Sequence, residues 1–402
     1  MNALVFAVLL LDGYDTTALG FVVPALAQEW GRQPAAFTPA LVATNIGVVI
    51  GYLVCGRLSA RFGRRKVITS GTVLFGIGSA LTALVHDPSQ LTGVRALTAL
   101  GLGIVLPTSV SLVADQSPTS RRSAHTVAVT LALSVGAAAG GLVGGRLIAA
   151  LGWTSVFWLG AVLPAVLAPA LYRWLPPEPD GAESRTAPGG KAAPGVRALF
   201  PAGAGVSTVL LWGFAFLVFT TMFALQAWLP TLLATGYGVT PEQAPLGSAA
   251  LGFGGVVGGA LLVPVAARFG VPRALAVAVP VAGVLLVAVS RTGTSGSGLF
   301  LLIAAAGAGI AVGVVGQAAL AAGMYSSEAR TTGIAWAAAM GRAGSVAGPA
   351  AVGALIGAGV SGQDVILLTV VPVAGAALIA LVVAVRTRRG RRTGAGDVLP
   401  AD

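Results

Sequence analysis

Two carboxylates, Asp12 and Asp15, stand inside an otherwise apolar run that covers residues 3–27. A run of this length spans a bilayer as a helix, because ~20 apolar residues suffice. A charged side chain near the middle of such a helix is costly, so an intramembrane acid is a functional candidate by default. Positions i and i+3 share a helix face, and we expect both acids to face one cavity. Gly13 between them allows a close backbone approach or a local break in the helix.

Proton exchange is the chemistry that such a pair can perform. Burial disfavours the charged form of a carboxylate, and a second carboxylate nearby disfavours it further. We therefore expect Asp12 and Asp15 to hold a proton near neutral pH and to serve in proton coupling. The alternative for either residue is an ion pair with an intramembrane arginine that only holds helices together.

Three arginines also fall inside apolar segments: Arg95, Arg146 and Arg342. A guanidinium group binds a carboxylate through two parallel hydrogen bonds, which suits an organic anion as ligand. Arg342 is the first candidate for substrate binding and Arg95 the second, although Arg95 is also placed for gating or for an ion pair. Arg146 lies nearer a span end and is expected to snorkel.

Aromatic and amide side chains in the spans can stack on a ring or donate hydrogen bonds to it. The candidates for such contacts with a substrate are Tyr14, Gln226, Trp228, Gln317 and Trp336, with Phe223 beside them. Membrane interface belts also use Trp and Tyr, which is the alternative for the aromatic members. No phosphate loop, nucleotide motif or metal cluster occurs in the sequence, so we expect no cofactor, no metal and no ATP-driven pump.

The composition is that of a polytopic membrane protein. Of the 402 residues, 56% are hydrophobic and only 9% charged, and there are 57 glycines. A soluble domain would carry roughly 25% charged residues. The net charge of +11 comes from basic residues in short loops, so no nucleic-acid partner is needed to explain it. The single cysteine, Cys55, excludes an intramolecular disulfide.

Twelve apolar segments of spanning length follow one another, which predicts an all-α membrane protein with twelve transmembrane helices. They cover residues 3–27, 38–58, 66–85, 89–114, 123–150, 153–173, 206–235, 243–267, 272–290, 297–324, 331–357 and 364–385. A Pro-, Gly- and charge-rich stretch over 175–205 is typical of a flexible linker. The predicted organisation is a six-helix half over 1–174, the linker, a second six-helix half over 206–385 and a tail over 386–402.

The basic residues predict the orientation of the chain. Nineteen of the 24 Lys and Arg residues follow even-numbered spans or lie in the linker and tail, whereas only Arg32 and Arg291 fall in the other loops. Positive residues concentrate on the cytoplasmic side, so both termini are predicted to be cytoplasmic in a multi-pass protein of the cell membrane. The first run lacks a basic leader region, and we interpret it as a span rather than a signal peptide.

The two halves repeat each other at a distance of six spans. The segment 59–65 after span two is echoed by 266–273 after span eight, since both contain Ala-Arg-Phe-Gly. A Gly-x3-Gly pattern at Gly136 and Gly140 in span five is matched by Gly344 and Gly348 in span eleven. Such echoes are expected of two parallel six-helix repeats, and we interpret the halves as pseudo-symmetric.

The loop after span two resembles the pattern Gly-x3-Asp-Arg-x-Gly-Arg-Arg/Lys of the major facilitator superfamily. The matching residues are Gly56, Arg61, Gly63, Arg64 and Arg65. Ala60 stands where the pattern has its Asp, which is thought to help latch the halves together, and this leaves the latch in doubt here. The resemblance implies a gating role for the loop and for Asp115, Arg121 and Arg122 near the following loop.

Longer strings resemble the aromatic acid:proton symporter branch of that superfamily. They are Asp12-Gly13-Tyr14-Asp15, the segment 95–103 with the loop 117–123, the segment 226–231, and the segments 316–325, 329–333 and 341–349. The resemblance implies a transporter that imports hydroxybenzoate-, protocatechuate- or benzoate-like carboxylates together with protons by alternating access. We also expect a monomer.

Two other functions remain open at this point. A proton-coupled multidrug or metabolite exporter of the same superfamily is the main alternative, although such exporters commonly have Gly-Pro in span five, where this chain has Gly140-Gly141. A membrane sensor would need an output domain, for which the linker and tail are too short. No catalytic constellation occurs, so we do not expect an enzyme.

Overall fold

The computed structural model describes residues 2–118, 122–176, 199–200, 205–292, 296–325 and 330–393. Most of the predicted linker and the end of the tail therefore lie outside the described residues, and the predicted domain boundaries there stay predictions. The described chain is a bundle of long helices. Those of the first half are α1 (Asn2–Glu29), α2 (Thr38–Phe62), α3 (Arg64–Thr82), α4 (Pro88–Gln116), α5 (Arg122–Leu151) and α6 (Thr154–Trp174).

The second half follows with the same number of spans. Its helices are α7 (Gly205–Gly236), α8 (Pro245–Phe269), α9 (Val271–Arg291), α10 (Ser297–Met324), α11 (Arg330–Gly357), α12 (Gly362–Leu368) and α13 (Val370–Thr393). The last span is interrupted at Thr369, so α12 and α13 together form it, a break that hydropathy does not reveal. A short 3₁₀ helix, Pro34–Phe37, was also not predicted. Otherwise the spans begin and end within a few residues of their predicted positions.

Ten helical segments of the described chain are long and apolar enough to cross a membrane by length and composition. The two further spans, α3 and α11, are less apolar, because α3 begins with three basic residues and α11 carries Arg342 among many glycines. Both pack inside the bundle, α3 against α4 and α6, and α11 against α7 and α2. The protein is thus an all-α, twelve-span membrane protein.

Helix packing repeats between the halves. In the first half α2 packs on α4, α1 on α5, α3 on α4 and α3 on α6. In the second half the corresponding pairs are α8 on α10, α7 on α11, α9 on α10 and α9 on α13. The loops repeat as well, since Gly63 after α2 and Gly270 after α8 both adopt a left-handed conformation, with φ of 79° and 82°. A residue with a side chain is strained there, which explains the shared Phe-Gly of the sequence echo.

Helix α4 starts with a well-formed cap. The carboxylate of Asp87 accepts hydrogen bonds from the backbone N–H groups of Ser89 at 2.8 Å and Gln90 at 3.0 Å, and Pro88 occupies the first helical position. The N–H groups of Gln90 and Ser89 hold the pKa of Asp87 below its ordinary value, because they stabilise the carboxylate. This cap lies at the end of α4 that is nearer to Arg95.

A glycine seam joins the halves where α5 meets α8; we define it by Gly141, Gly145 and Gly252. A Cβ atom on Gly141 would overlap the backbone of Ala249, and one on Gly145 would overlap the backbone of Glu242. Small residues allow helices to approach closely in lipid, where no hydrophobic drive pulls them together. The two halves therefore touch backbone to backbone along this seam, on α8 itself at Gly141 and Gly252 and just before α8 at Gly145.

Candidate functional site

A cavity of about 260 Å³ lies between the halves, near the middle of the spans. Its walls come from α1, α2, α4 and α5 on one side and from α7, α8, α10 and α11 on the other. The polar side chains on these walls are Asp12, Thr16, Thr17, Thr44, Asn45, Tyr52, Thr130, Ser134, Gln226, Ser248 and Arg342. The remaining lining is mostly apolar. This volume is near the lower end of what small-ligand sites have, so it suits one small molecule.

Arg342 provides the positive charge of the cavity. Its Nη2 donates a hydrogen bond of 2.5 Å to the hydroxyl of Tyr52, and its guanidinium lies 4.2 Å from the centre of the Tyr52 ring. The ring of Phe223 lies 5.7 Å from the guanidinium on another helix. Within the described residues no carboxylate comes within 4.0 Å of Arg342. The guanidinium is thus held by aromatic faces and by the Tyr52 hydroxyl, and its other N–H donors are of the kind that bind a carboxylate.

Asp12 is the acidic group of the same cavity. It is 4% exposed, and Thr16 donates a hydrogen bond of 3.1 Å to its Oδ1. The helix α1 is continuous through Gly13, and a Cβ there would overlap the backbone of Leu133 on α5. Gly13 therefore serves close packing of α1 on α5 rather than a helix break, and it leaves Asp12 beside the cavity.

Asp15 does not share this cavity, and the expectation that both acids face one space is wrong. Its Oδ2 lies 3.0 Å from Nη1 of Arg95, whose Nη2 also donates to the backbone oxygen of Asp15 at 3.1 Å. The hydroxyl of Ser79 donates to Oδ1 of Asp15. Three residues along a helix turn a side chain by about 60° and move it ~4.5 Å, which is enough to change its neighbours.

Arg95 is correspondingly not at the cavity wall. Its side chain is fully buried, and its guanidinium lies 5.8 Å from the ring centre of Phe157 on α6. Its Nε has no hydrogen-bond partner within the described residues. The pair with Asp15 ties α4 to α1 and is the structural ion pair that the sequence left open as an alternative.

Among the other predicted substrate contacts, Gln226 lines the cavity and four residues do not. The hydroxyl of Tyr14 donates to the backbone oxygen of Val156 at 2.8 Å, and Trp228 Nε1 donates to that of Pro349 at 2.9 Å. Both bonds join neighbouring helices.

The remaining two predicted contacts are also elsewhere. Gln317 is buried in α10 with its Oε1 unpartnered within the described residues. Trp336 is 38% exposed and stacks on Trp212, with ring centres 5.4 Å apart. The structure therefore assembles Asp12, Arg342 and Gln226 at the cavity and separates Tyr14, Trp228, Gln317 and Trp336 from it.

Helix α2 supplies the part of the site that sequence reasoning missed. Thr44, Asn45, Val48 and Tyr52 lie on one helix face that lines the cavity. Their spacing of i, i+1, i+4 and i+8 is that of a single helical stripe. A polar stripe in an otherwise apolar span was the signal that would have found them.

The predicted gating residues make contacts within the first half. Arg64 Nη1 lies 2.6 Å from Oδ2 of Asp115, which joins the start of α3 to the end of α4. Arg65 packs over the ring of Tyr172 at 4.8 Å, and Arg61 over that of Phe62 at 5.1 Å.

Other members of that predicted set carry less structural information. A Cβ atom on Gly56 would have no neighbour within 4 Å among the described residues, and Gly63 forms the turn described above. Arg122 begins α5, whereas Arg121 lies outside the described residues. In the part of the chain that the structure describes, no three His, Cys, Asp or Glu residues group as metal ligands would.

The fold and the cavity define a class of protein: a multi-pass helical membrane protein with a ligand-sized cavity between two repeated halves, as in secondary transporters. The chain belongs to the Major Facilitator Superfamily, whose sequence profile matches residues 5–298. The protein is accordingly a membrane transporter and not an enzyme.

Similar proteins cover most of the chain. It is 31% identical over 399 residues to the 4-hydroxybenzoate transporter PcaK of Pseudomonas putida, across 92% of this chain and 89% of that protein. It is 31% identical over 404 residues to the gallate transporter of Pseudomonas putida, across 94% and 90%. The crystal structure of a D-xylose-proton symporter superposes with a TM-score of 0.73 at 16% identity, covering 94% of this chain and 95% of that one, which shows the shared fold.

Proposed function

We propose that the protein imports an aromatic carboxylate into the cell together with protons, by alternating access. The observation that carries this proposal is Arg342: a half-buried guanidinium in a central cavity, held by Tyr52 and Phe223, with no carboxylate partner within the described residues. Such a group binds a carboxylate, and the aromatic faces around it suit a ring.

The similar proteins support this substrate class. Two of them are named as transporters of 4-hydroxybenzoate and of gallate, which are both aromatic carboxylates. The cavity volume also suits a single small ring. The Arg342 guanidinium would take the carboxylate, while Gln226 and the hydroxyl groups on the walls would face the ring substituents.

Asp12 is the group that we propose for proton coupling. It faces the same cavity as Arg342, and within the described residues it has a hydrogen bond from Thr16 but no ion pair. A cavity that carries a deprotonated Asp12 repels a carboxylate, whereas a protonated Asp12 does not. Protonation would therefore favour loading, and proton release would favour discharge. The coupling role of Asp15 stays a prediction, and its contacts favour a structural role.

The remaining features of the proposal concern the whole chain. We propose a monomer in the cell membrane with both termini on the cytoplasmic side, since the even loops carry the basic residues. The halves over 1–174 and 206–385 would rock about the cavity. The Arg64–Asp115 pair would stiffen the cytoplasmic end of the first half, because both partners belong to it.

Uptake into proteoliposomes tests the substrate claim. Labelled 4-hydroxybenzoate is supplied outside, with a pH gradient, to the wild type and to Arg342→Gln and Arg342→Lys variants. Loss of a charged hydrogen bond costs ~1.5–3 kcal/mol, so we expect affinity to fall about 10- to 100-fold in Arg342→Gln. Arg342→Lys should recover part of the affinity, because the ammonium group keeps the positive charge but cannot form two parallel hydrogen bonds with a carboxylate.

The matched control is Arg146→Gln, which removes an exposed arginine of α5 outside the cavity. It should leave uptake unchanged. An unchanged KM in Arg342→Gln would overturn the assignment of the carboxylate site. Counterflow driven by lipophilic cations but not by hydroxybenzoates would instead indicate the exporter function.

A further inference from the structure

A second cavity, of about 740 Å³, lies outside the transport path in the second half. It is a groove formed by α8, α9, α10 and α13, away from Asp12 and Arg342. Its floor is made of small residues, among them Gly258, Ala305 and Ala308, and its rims of larger ones. These small residues bring α8 and α10 together, since a Cβ atom on Gly258 would overlap the backbone of Ala308, and the groove lies on the outer side of this contact.

The rims of the groove lie on the outer surface of the helix bundle. Val277 is 64% exposed, and Leu261 and Phe269 are each more than half exposed. In a membrane protein, apolar side chains that are exposed at mid-bundle meet acyl chains. The groove is thus open to the hydrocarbon of the bilayer rather than to water.

One end of the groove is positively charged. Arg273, in the first turn of α9, belongs to the lining and is exposed. Within the described residues it makes no ion pair, hydrogen bond or ring contact. Arg268 packs over the ring of Phe269 at the same end, and Arg386 follows Val385, another lining residue. None of the sequences of α8, α9, α10 and α13 contains an Asp or Glu.

The first half differs at the corresponding place. There the first turn of α3 meets the end of α6, and Arg65 packs over the ring of Tyr172. In the second half the end of α13 offers Leu381 and Val385 instead of an aromatic ring. Counted from the preceding glycine, Arg273 takes the place of Lys66, next to that of Arg65. Among the described residues Arg273 has no ring contact like that of Arg65 and no ion pair, so its charge is open to an anion at the membrane surface.

The length of the groove matches one leaflet. Along α9 it extends from Arg273 to Val281, which is about 12 Å at ~1.5 Å per residue. Half of a ~30 Å hydrocarbon core is ~15 Å. A molecule that fills the groove has an apolar chain of roughly that length and an anionic head at the level of the membrane surface.

We propose that this groove is a binding site for an anionic phospholipid, with one acyl chain along α9 and the phosphate headgroup on Arg273. Basic residues at a membrane surface attract anionic headgroups, and a basic pocket between helices adds selectivity. The apolar groove supplies affinity for the chain, and the arginines supply preference for negative charge.

Native mass spectrometry of the purified full-length protein tests the site, with phosphatidylglycerol and phosphatidylcholine of identical chains as probes. We expect the wild type to retain more phosphatidylglycerol than phosphatidylcholine. Arg273→Gln should weaken phosphatidylglycerol retention about fivefold and leave phosphatidylcholine nearly unchanged. Val277→Trp fills the groove and should reduce retention of both lipids.

Two control variants on the same helix match these changes. Arg291→Gln removes an exposed arginine at the other end of α9, and Val284→Trp enlarges an exposed valine that does not line the groove. Both should behave as the wild type, and thermal unfolding should show that all four variants are folded. Equal retention of the two lipids by the wild type overturns the proposal. Retention of both lipids at the wild-type level by Val277→Trp also overturns it. If Val277→Trp changes only the fraction of dimer and not lipid retention, the groove is an interface between copies and the proposal is likewise overturned.

Discussion

The molecule contains two pairs of acid and arginine that look alike in sequence and differ in structure. Asp15 and Arg95 are in contact, and both side chains are almost completely inaccessible. Asp12 and Arg342 share a cavity without forming an ion pair. The first pair lies within one half, whereas the second has one member on each half.

The difference lies in what neutralises each charge. The carboxylate of Asp15 accepts one hydrogen bond from Arg95 and one from Ser79, and Arg95 also donates to the backbone oxygen of Asp15, so both carboxylate oxygens have a partner within the protein. Asp12 has the hydroxyl of Thr16 and the open cavity. A buried and fully paired charge holds helices together, whereas a charge with spare capacity can exchange a proton or a ligand.

Removal of Arg95 should have the largest effect, because it leaves Asp15 buried without a partner. Breaking a buried pair on one side costs ~3–5 kcal/mol, so Arg95→Leu should sharply lower the yield and the unfolding temperature. The double change Asp15→Leu with Arg95→Leu should recover much of that stability. Thermal unfolding in detergent measures both, and a single variant as stable as the wild type would show that the pair is not structural.

Neutralisation of the cavity acid should affect transport rather than stability. In Asp12→Asn we expect accumulation of hydroxybenzoate against a gradient to be lost, while counterflow exchange and thermal unfolding stay near wild type. The reason is that an amide preserves the shape of the side chain but cannot release a proton. Accumulation with the pH dependence of the wild type would contradict the coupling role of Asp12.

Two tyrosines, one at the cavity and one in the helix packing, allow the same comparison with smaller expected effects. Tyr52→Phe removes the hydroxyl bonded to Arg342 and keeps the ring, so we expect KM to change by about 2- to 10-fold without loss of stability. Tyr14→Phe removes the bond to Val156 and should lower stability by ~1 kcal/mol with KM unchanged. Initial uptake rates and unfolding curves of both variants decide this, and an exchange of the two outcomes would reverse our assignment.

The smallest effect concerns the ring substituents. Ser248 is a lining residue of the cavity, and its buried hydroxyl has no hydrogen-bond partner within the described residues. If this hydroxyl forms a hydrogen bond with the ring hydroxyl of the substrate, Ser248→Ala should weaken the binding of 4-hydroxybenzoate by about 2- to 5-fold and leave the binding of benzoate unchanged. Competition between the two compounds in one uptake assay gives the ratio, and equal weakening of both would exclude this contact.

The fold was largely predictable because its signals are local. The hydropathy of each span and the repeat of Phe-Gly after α2 and α8 depend on neighbouring residues only. The interruption of the last span at Thr369 could not be predicted from hydropathy, because the sequence is apolar on both sides of it, in α12 and in the first part of α13. The cost of a charge in lipid likewise identified Asp12, Asp15, Arg95 and Arg342 as residues that need an explanation.

The division of these four residues between cavity and core could not be predicted. It depends on how α1 is rotated against α3 and α4, and helical spacing does not specify that rotation. The same limit explains Trp228, whose amphipathic ring suits either a cavity or a buried bond, and which the structure places against Pro349. Tyr52 was missed for the opposite reason, because a single tyrosine in a span is also typical of an interface belt.

The glycine seam between α5 and α8 bears on how fast the halves can rearrange. Side chains that interlock must change rotamer or separate before two helices shift, and each such step adds to an activation barrier. Gly141 meets the backbone of Ala249 on α8 instead, so fewer side chains have to change rotamer there if α5 moves along α8. If the halves rock as proposed, this backbone contact is therefore expected to affect the maximal turnover rate more than the affinity for substrate.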